Sequence, residues 1–392
     1  VQKVVAKLAG RLQQLRKMRE ARDEKAAGEN TEGKKAEEKN PEVLSRPLPW
    51  EGWTELSPYV WKRTIEVAYP KETRYIGGVL IESADILNYL VFYDFETTGL
   101  SGGAGTLVFL AGFGRFDGKS MSIDQLMLAD YPGEAEFIRE ISRYLSDKNI
   151  FVSYNGKGFD RHVLLNRLRI HGYRNADMRR QLDLLYPTRK IWGKSLERCN
   201  LGSIEAHVLK VTRVLDIPGA LIPECYQKFL RTREEGCMQM VVAHHVQDIK
   251  SLAQLLFHIE KVASEPHLLI DSNAGVGLGR MLASLGDPRG LKILEKELSE
   301  GNEDAGRILV PIYKRKKRIP ELRGVLNKMT ALRPGYFQIV ETAKLLEHID
   351  KDPKAAMDLI QPLIQRRALV SEARLKELHY RRNRLQRKIE SP

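Results

Sequence analysis

The spacing of apolar residues changes character along the chain. Val1, Val5, Leu8, Leu12 and Leu15 recur at alternating steps of four and three. That heptad-like spacing predicts a basic amphipathic helix over 1–25, too short for a coiled coil. Residues 26–49 are rich in Glu, Lys, Gly, Asn and Pro and poor in apolar side chains, which reads as a disordered linker. From Trp50 to Glu265 strand and helix patterns alternate. Leu90–Phe95, Leu107–Phe116 and Met121–Leu128 read as consecutive strands. Gly133–Leu145 has helical spacing, with Phe137, Ile141 and Leu145 on one face. Ile150–Tyr154 is a short strand, a helix follows Asp160, a strand precedes Asp183, and helices are expected over Ser195–His207 and Met238–Ile259. This order predicts an α/β sheet with an antiparallel portion. Strand signals vanish from Leu268. Pro288, Pro320 and Pro353 recur about 32–33 residues apart, each placed to start a helix. That period matches tetratricopeptide-like helical repeats, expected over 266–392, which bury their apolar faces only by stacking.

Composition narrows the class. The apolar fraction of 42% supplies a core. No apolar run approaches the roughly 20 residues of a membrane span, and the N-terminus lacks the order of a signal peptide. Cys199, Cys225 and Cys237 are too few and too scattered for a disulfide framework or a zinc site, so a reducing, cytoplasmic setting is expected. The formal charge of +13 favours a polyanionic partner, because Lys and Arg release counterions from phosphates, although a solvated basic surface has the same composition.

Three short stretches carry candidate chemistry. Asp94-Phe95-Glu96 ends an apolar strand, and alternate strand residues share a face. Two carboxylates on one face repel unless protonated or bridged by a cation, and hard oxygen donors suit Mg2+ or Mn2+. In Tyr154-Asn155-Gly156-Lys157-Gly158-Phe159-Asp160 a strand turns into a helix that Asp160 opens. In His244-His245-Val246-Gln247-Asp248, His244 and Asp248 share a helix face. Singly, these read better as a strand end, a helix cap and a surface hydrogen bond. Other features say less. Ser101–Thr106 lacks the Lys of a phosphate-binding loop and reads as a hairpin turn. Asp183 serves a strand end. Lys314–Arg318 and the cations of 381–388 are backbone-tracking clusters or solvated helix faces.

Together the three stretches resemble the exonuclease motifs of the DEDD group in the ribonuclease-H-like superfamily. With Gln181-Leu182-Asp183-Leu184-Leu185 and Asp216-Ile217-Pro218-Gly219, they resemble more closely the YprB-type ribonuclease-H-like domain, over 50–265. The resemblance implies a mixed sheet flanked by helices, followed by an all-α repeat region. It implies a 3′–5′ exonuclease acting on DNA or RNA, with two Mg2+ or Mn2+ ions held by Asp94, Glu96, Asp160 and Asp248. Asn155 and Thr97 are expected at the substrate. His244 stands four residues before Asp248, where one branch of the group has tyrosine; with an ordinary pKa near 6.5 it is the expected general base. His245 leaves the helix about 100° away and is the weaker candidate. Arg213 and Asp216 lie in a loop the resemblance marks, with no chemical role assigned. The repeats offer a surface for a protein partner. A nucleic-acid-binding scaffold of weak activity, or an endonuclease on the same frame, are the alternatives.

Overall fold

The structure, a computed structural model, describes residues 50–68, 79–99, 105–117, 120–213, 216–365 and 371–390. The expected helix over 1–25, the linker over 26–49 and most of the 101–106 turn lie outside them. Seven strands form one sheet: β1 (Trp53–Ser57), β2 (Val60–Ala68), β3 (Leu90–Thr97), β4 (Val108–Phe116), β5 (Ser120–Leu128), β6 (Ile150–Ser153) and β7 (Gln181–Asp183). Their order is β1-β2-β5-β4-β3-β6-β7. The β3–β6 and β6–β7 pairs are parallel and the others antiparallel. The β1–β2 hairpin extends the expected sheet. Its β2 runs beside β5 from Val60↔Leu128 to Ala68↔Ser120.

Central β3 shows why the sequence folds this way. Leu90 to Tyr93 are all buried, as a strand covered on both faces requires. Val91, Tyr93 and Phe95 enter one apolar cluster, while Leu90 and Phe92 enter the other. The first cluster is capped by α1 (Glu134–Ser142), α2 (Asp160–Ile170) and α5 (Ile222–Thr232). The second receives Ile249, Leu252 and Leu256 from α6 (Gly236–Ser264). Residues two apart share a face, so Asp94 and Glu96 extend the Leu90–Phe92 row toward α6. The expected helix over Ser195–His207 is shorter than predicted. It comprises α4 (Leu201–Ile204) and a wide π turn over Glu205–Leu209, preceded by α3 (Leu185–Trp192). Cys225 on α5 and Cys237 on α6 are joined as a disulfide, their Cα atoms 5.6 Å apart. The scattered spacing of three cysteines gave no sign of it; the packing of α6 against α5 brings them together.

Helices α7 (Ser272–Ser284), α8 (Arg289–Ser299), α9 (Glu303–Arg315), α10 (Ile319–Leu332), α11 (Tyr336–Leu345), α12 (Pro353–Gln365) and α13 (Glu372–Glu390) follow. Pro288, Pro320 and Pro353 stand at the starts of α8, α10 and α12, alternate helices of the series. Proline is tolerated there because the first-turn N–H has no helical partner. The apolar cluster on the α6 face continues without a break from Ile191 and Trp192 of α3 into Leu278, Met281 and Leu282 of α7. Gly277 makes that contact: a Cβ there would lie 2.4 Å from the carbonyl oxygens of Lys190 and Ile191. Gly277→Val is therefore expected to cost about 1–3 kcal/mol by overpacking. Denaturant unfolding checks this. A midpoint equal to wild type would show that α7 does not rest on α3 through this glycine.

Candidate active site

The C-terminal end of β3, the start of α2 and the middle of α6 converge. Asp94 and Glu96 are half-buried at the strand end, alternating with buried Phe95 and Thr97. Asp160 opens α2 after a turn in which Asn155 adopts φ 65°, a left-handed conformation that Asn tolerates. Asp183 fixes that turn. Its carboxylate accepts from the backbone N–H of Asn155 (2.8 Å), Lys157 (3.2 Å) and Leu185 (3.0 Å). On α6, His244 and Asp248 face the strand carboxylates. Ligand atoms of Glu96, His244 and Asp248 all lie within 4.8 Å of one another.

Burial, then the charges of Asp248, Glu96 and Asp160, raise the Asp94 carboxyl well above its ordinary range. Burial and Asp248 lift Glu96 to about 8. Burial and neighbouring Asp183 lift Asp160 to about 7. Asp248 goes the other way: burial would raise it, but His244 and Arg213 hold it low. Four carboxylates thus share one corner with too little positive charge to ionise them all. That donor set fits hard divalent ions, which all-oxygen sites prefer. Glu96 and Asp248 belong with His244 to the close cluster of donor atoms, and Asp94 and Asp160 act on it through their charges.

His244 meets Asp248 across one turn of α6, as their spacing predicts. Nδ1 lies 2.6 Å from Asp216 and Nε2 3.1 Å from Asp248. Burial lowers the ring's pKa, but hydrogen bonds to Asp248 and Asp216 outweigh it and raise the pKa to about 9. Both ring nitrogens donate, so the ring is an imidazolium at neutral pH rather than a ready base. Arg213 Nη1 lies 2.8 Å from the same Nδ1, and the two N–H groups share Asp216 Oδ1 as their acceptor.

His245 is fully buried and points at the sheet. Nε2 lies 2.9 Å from the carbonyl oxygen of Asp94, and Nδ1 lies 2.8 Å from Gln125 Nε2. The amide Nε2 also donates to Val242, while Gln125 Oε1 accepts from Arg63. Nδ1 is therefore the acceptor and Nε2–H the donor, a neutral ring that burial holds down at about 4. Gly112 gives it room: it pairs with Asp94 across the β3–β4 ladder, and a Cβ there would lie 2.5 Å from the imidazole. His245 positions the Asp94 backbone, and its Nε2 also lies 3.9 Å from the Asp94 carboxylate.

Arg213 is the group that sequence reasoning left without a role. Its guanidinium forks onto buried Glu205 (Nε–Oε2 2.6 Å, Nη2–Oε1 2.8 Å) and also donates to Asp248 and to Asp216 (3.2 Å). The only sequence sign was its place in the loop leading to Asp216-Ile217-Pro218-Gly219. Thr97 is buried, its hydroxyl donating to Gly99 at 2.8 Å, whereas the Asn155 side chain is exposed.

The ribonuclease H superfamily model RNase_H_2 matches residues 91–260, the stretch that builds this corner. Residues 91–260 thus form a ribonuclease-H-like domain. The chain is 30% identical over 324 residues to YprB, an uncharacterized protein of Bacillus subtilis (strain 168), covering 78% of this chain and 76% of that one. It belongs to the YprB family. A solved exonuclease I structure is similar at 17% identity with a TM-score of 0.30, covering 48% of this chain and half (50%) of that one.

The raised carboxyls have a consequence for stability. Folded pKa values above the unfolded ones contribute stability at acid pH that is lost as pH rises through the folded values. In chelator, the melting temperature of wild type is expected to fall between about pH 5 and 8, the window set by Glu96 and Asp160. Glu96→Gln is expected to flatten the fall. Parallel curves for the two proteins would contradict the crowding of charge at Glu96. Separately, His245→Ala is expected to weaken Mn2+ binding about 10- to 100-fold, as loss of an outer partner does. Titration calorimetry reads this directly. Unchanged affinity in a folded variant would remove His245 from the site.

Proposed function

We propose that this chain hydrolyses phosphodiester bonds of DNA or RNA, removing nucleotides from the 3′ end. The observation that carries the reading is the meeting of Asp94, Glu96, Asp160 and Asp248 from three separate elements, in an order shared with the DEDD exonucleases. Mg2+ or Mn2+, when two ions are bound, supplies an acidified water and charge compensation for the leaving oxygen.

The protein's own groups divide the remaining work. Asp94 and Glu96 are placed by β3, whose frame is pinned by the His245 contact. Asp248 is oriented by Arg213 on one carboxylate oxygen and by His244 on the other, with their remaining lone pairs left to the same corner. His244 acts as base only after losing the proton it shares with Asp216 and Asp248; while charged, it supplies a positive group beside the developing phosphate charge. Asn155, exposed on the turn before Asp160, is positioned to meet the substrate.

End-labelled single- and double-stranded DNA and RNA, incubated with Mg2+, Mn2+ or chelator, test the reading. Cleavage is expected with metal only and from the 3′ end, with closed circles spared. Circle cutting would indicate an endonuclease on the same frame. Asp94→Ala is expected to abolish cleavage while the protein stays folded. His244→Ala is expected to depress turnover about 10²- to 10⁴-fold, the usual contribution of a general acid or base. Full Mg2+-dependent activity in Asp94→Ala would sink the assignment.

A further inference from the structure

We propose that the groove between α3, the loop that follows it and α7 is a track for a single strand of DNA or RNA running to the carboxylate corner. The inference rests on reading that corner as a phosphodiesterase, and adds where the rest of the polymer lies. The groove encloses about 1150 Å3. Arg189 and Lys190 of α3, Arg198 of the loop and Arg280 of α7 line it, all exposed. With Lys194 they make five cations against one carboxylate, Glu197, in the lining. Lys194 pairs with Asp304, and Arg280 helps to hold that same carboxyl low. Arg189, Lys190 and Arg198 form no ion pair among the described residues. Positive charge without internal partners is what a chain of phosphates neutralises.

The basic cluster of α13 is more fully spent within the fold. Arg381, Arg384 and Lys388 of α13 converge on buried Glu347. Lys314 pairs with Glu341 and Arg318 with Glu321, while Arg315, Lys316 and Lys317, without an ion pair among the described residues, lie outside the groove. The groove also holds an aromatic face: Tyr186 of α3 is 56% exposed. Cations along a backbone path with an unstacked ring beside it match the chemistry of a single strand, whose bases are free to stack, rather than a duplex. At one end the lining includes Asn155, whose turn is gripped by Asp183 next to Asp160. The groove therefore opens onto the turn that delivers a catalytic carboxylate. Its floor is the Gly277 contact, so the helical region forms one wall of the path.

The test is fluorescence anisotropy with labelled 20-residue oligo-dT and oligo-U in chelator, across a KCl series. Cleavage is silent there, so the result does not depend on the hydrolytic reading. The triple variant Arg189→Gln, Lys190→Gln, Arg198→Gln is compared with a control of equal charge change, Arg315→Gln, Lys316→Gln, Lys317→Gln. For single strands, each lost phosphate contact makes the slope of log K against log salt shallower by about 0.7. The groove triple is expected to lose about 2 from the slope, and the control to match wild type. Tyr186→Ala is expected to weaken binding about 5- to 150-fold. Equal loss in both triples, or no loss in the groove triple, overturns the track. A preference for duplex over single strand also overturns it. Groove-dependent binding with no metal-dependent cleavage of any substrate would instead keep the track and reject the hydrolytic reading.

Discussion

Mutual repulsion among four carboxylates at the end of β3 is the constraint around which this region is organised. Left alone, such a corner protonates or swells. The protein meets the repulsion with Arg213, anchored on Glu205, and with His244 wedged between Asp216 and Asp248. Asp160 stays raised by burial and by neighbouring Asp183. The asymmetry is informative. Asp248 is kept ionised by side chains of the protein itself, whereas Asp94, Glu96 and Asp160 await charge from outside. On the proposed reading, bound divalent cations supply that charge.

Holding like charges together requires a rigid frame, and β3 has one on both sides. Leu90 and Phe92 anchor its α6 face, Val91 and Tyr93 the other. Where the strand leaves its apolar stretch, His245 takes over, bonded to the Asp94 carbonyl and backed by Gln125 and Arg63. Two adjacent histidines thus divide the labour by protonation state: one charged at the carboxylates, one neutral beneath the backbone. The helical region belongs to the same frame, because α7 reaches α3 closely enough for Gly277 to meet backbone carbonyls.

Much of this was legible in the chain. Asp94-Phe95-Glu96 follows an unbroken apolar run, so strand, face and carboxylate pair are read together. The three prolines mark alternate helices because proline is welcome only at a helix start. β2 was not legible, since Lys62, Arg63 and Glu66 break its pattern and its outer half is only partly covered. α5 carries Ile222, Tyr226, Phe229 and Leu230 at helical spacing, a sign that was present and passed over. The turn over Glu205–Leu209 is wider than an α-helix, and its buried Glu205 gains meaning only once Arg213 folds onto it from outside any regular element. The opposite duties of His244 and His245 depend on which partners surround each ring, and no spacing rule carries that information.

The central claim is that the corner is a divalent-metal site waiting for charge. Isothermal titration of the chelator-treated protein with Mn2+ at pH 7.5 tests it most directly. The account predicts uptake of two ions with release of protons, because raised carboxyls must ionise to bind, and loss of that uptake in Asp94→Asn. Absence of uptake by the folded wild type, or uptake unchanged in Asp94→Asn, would contradict it.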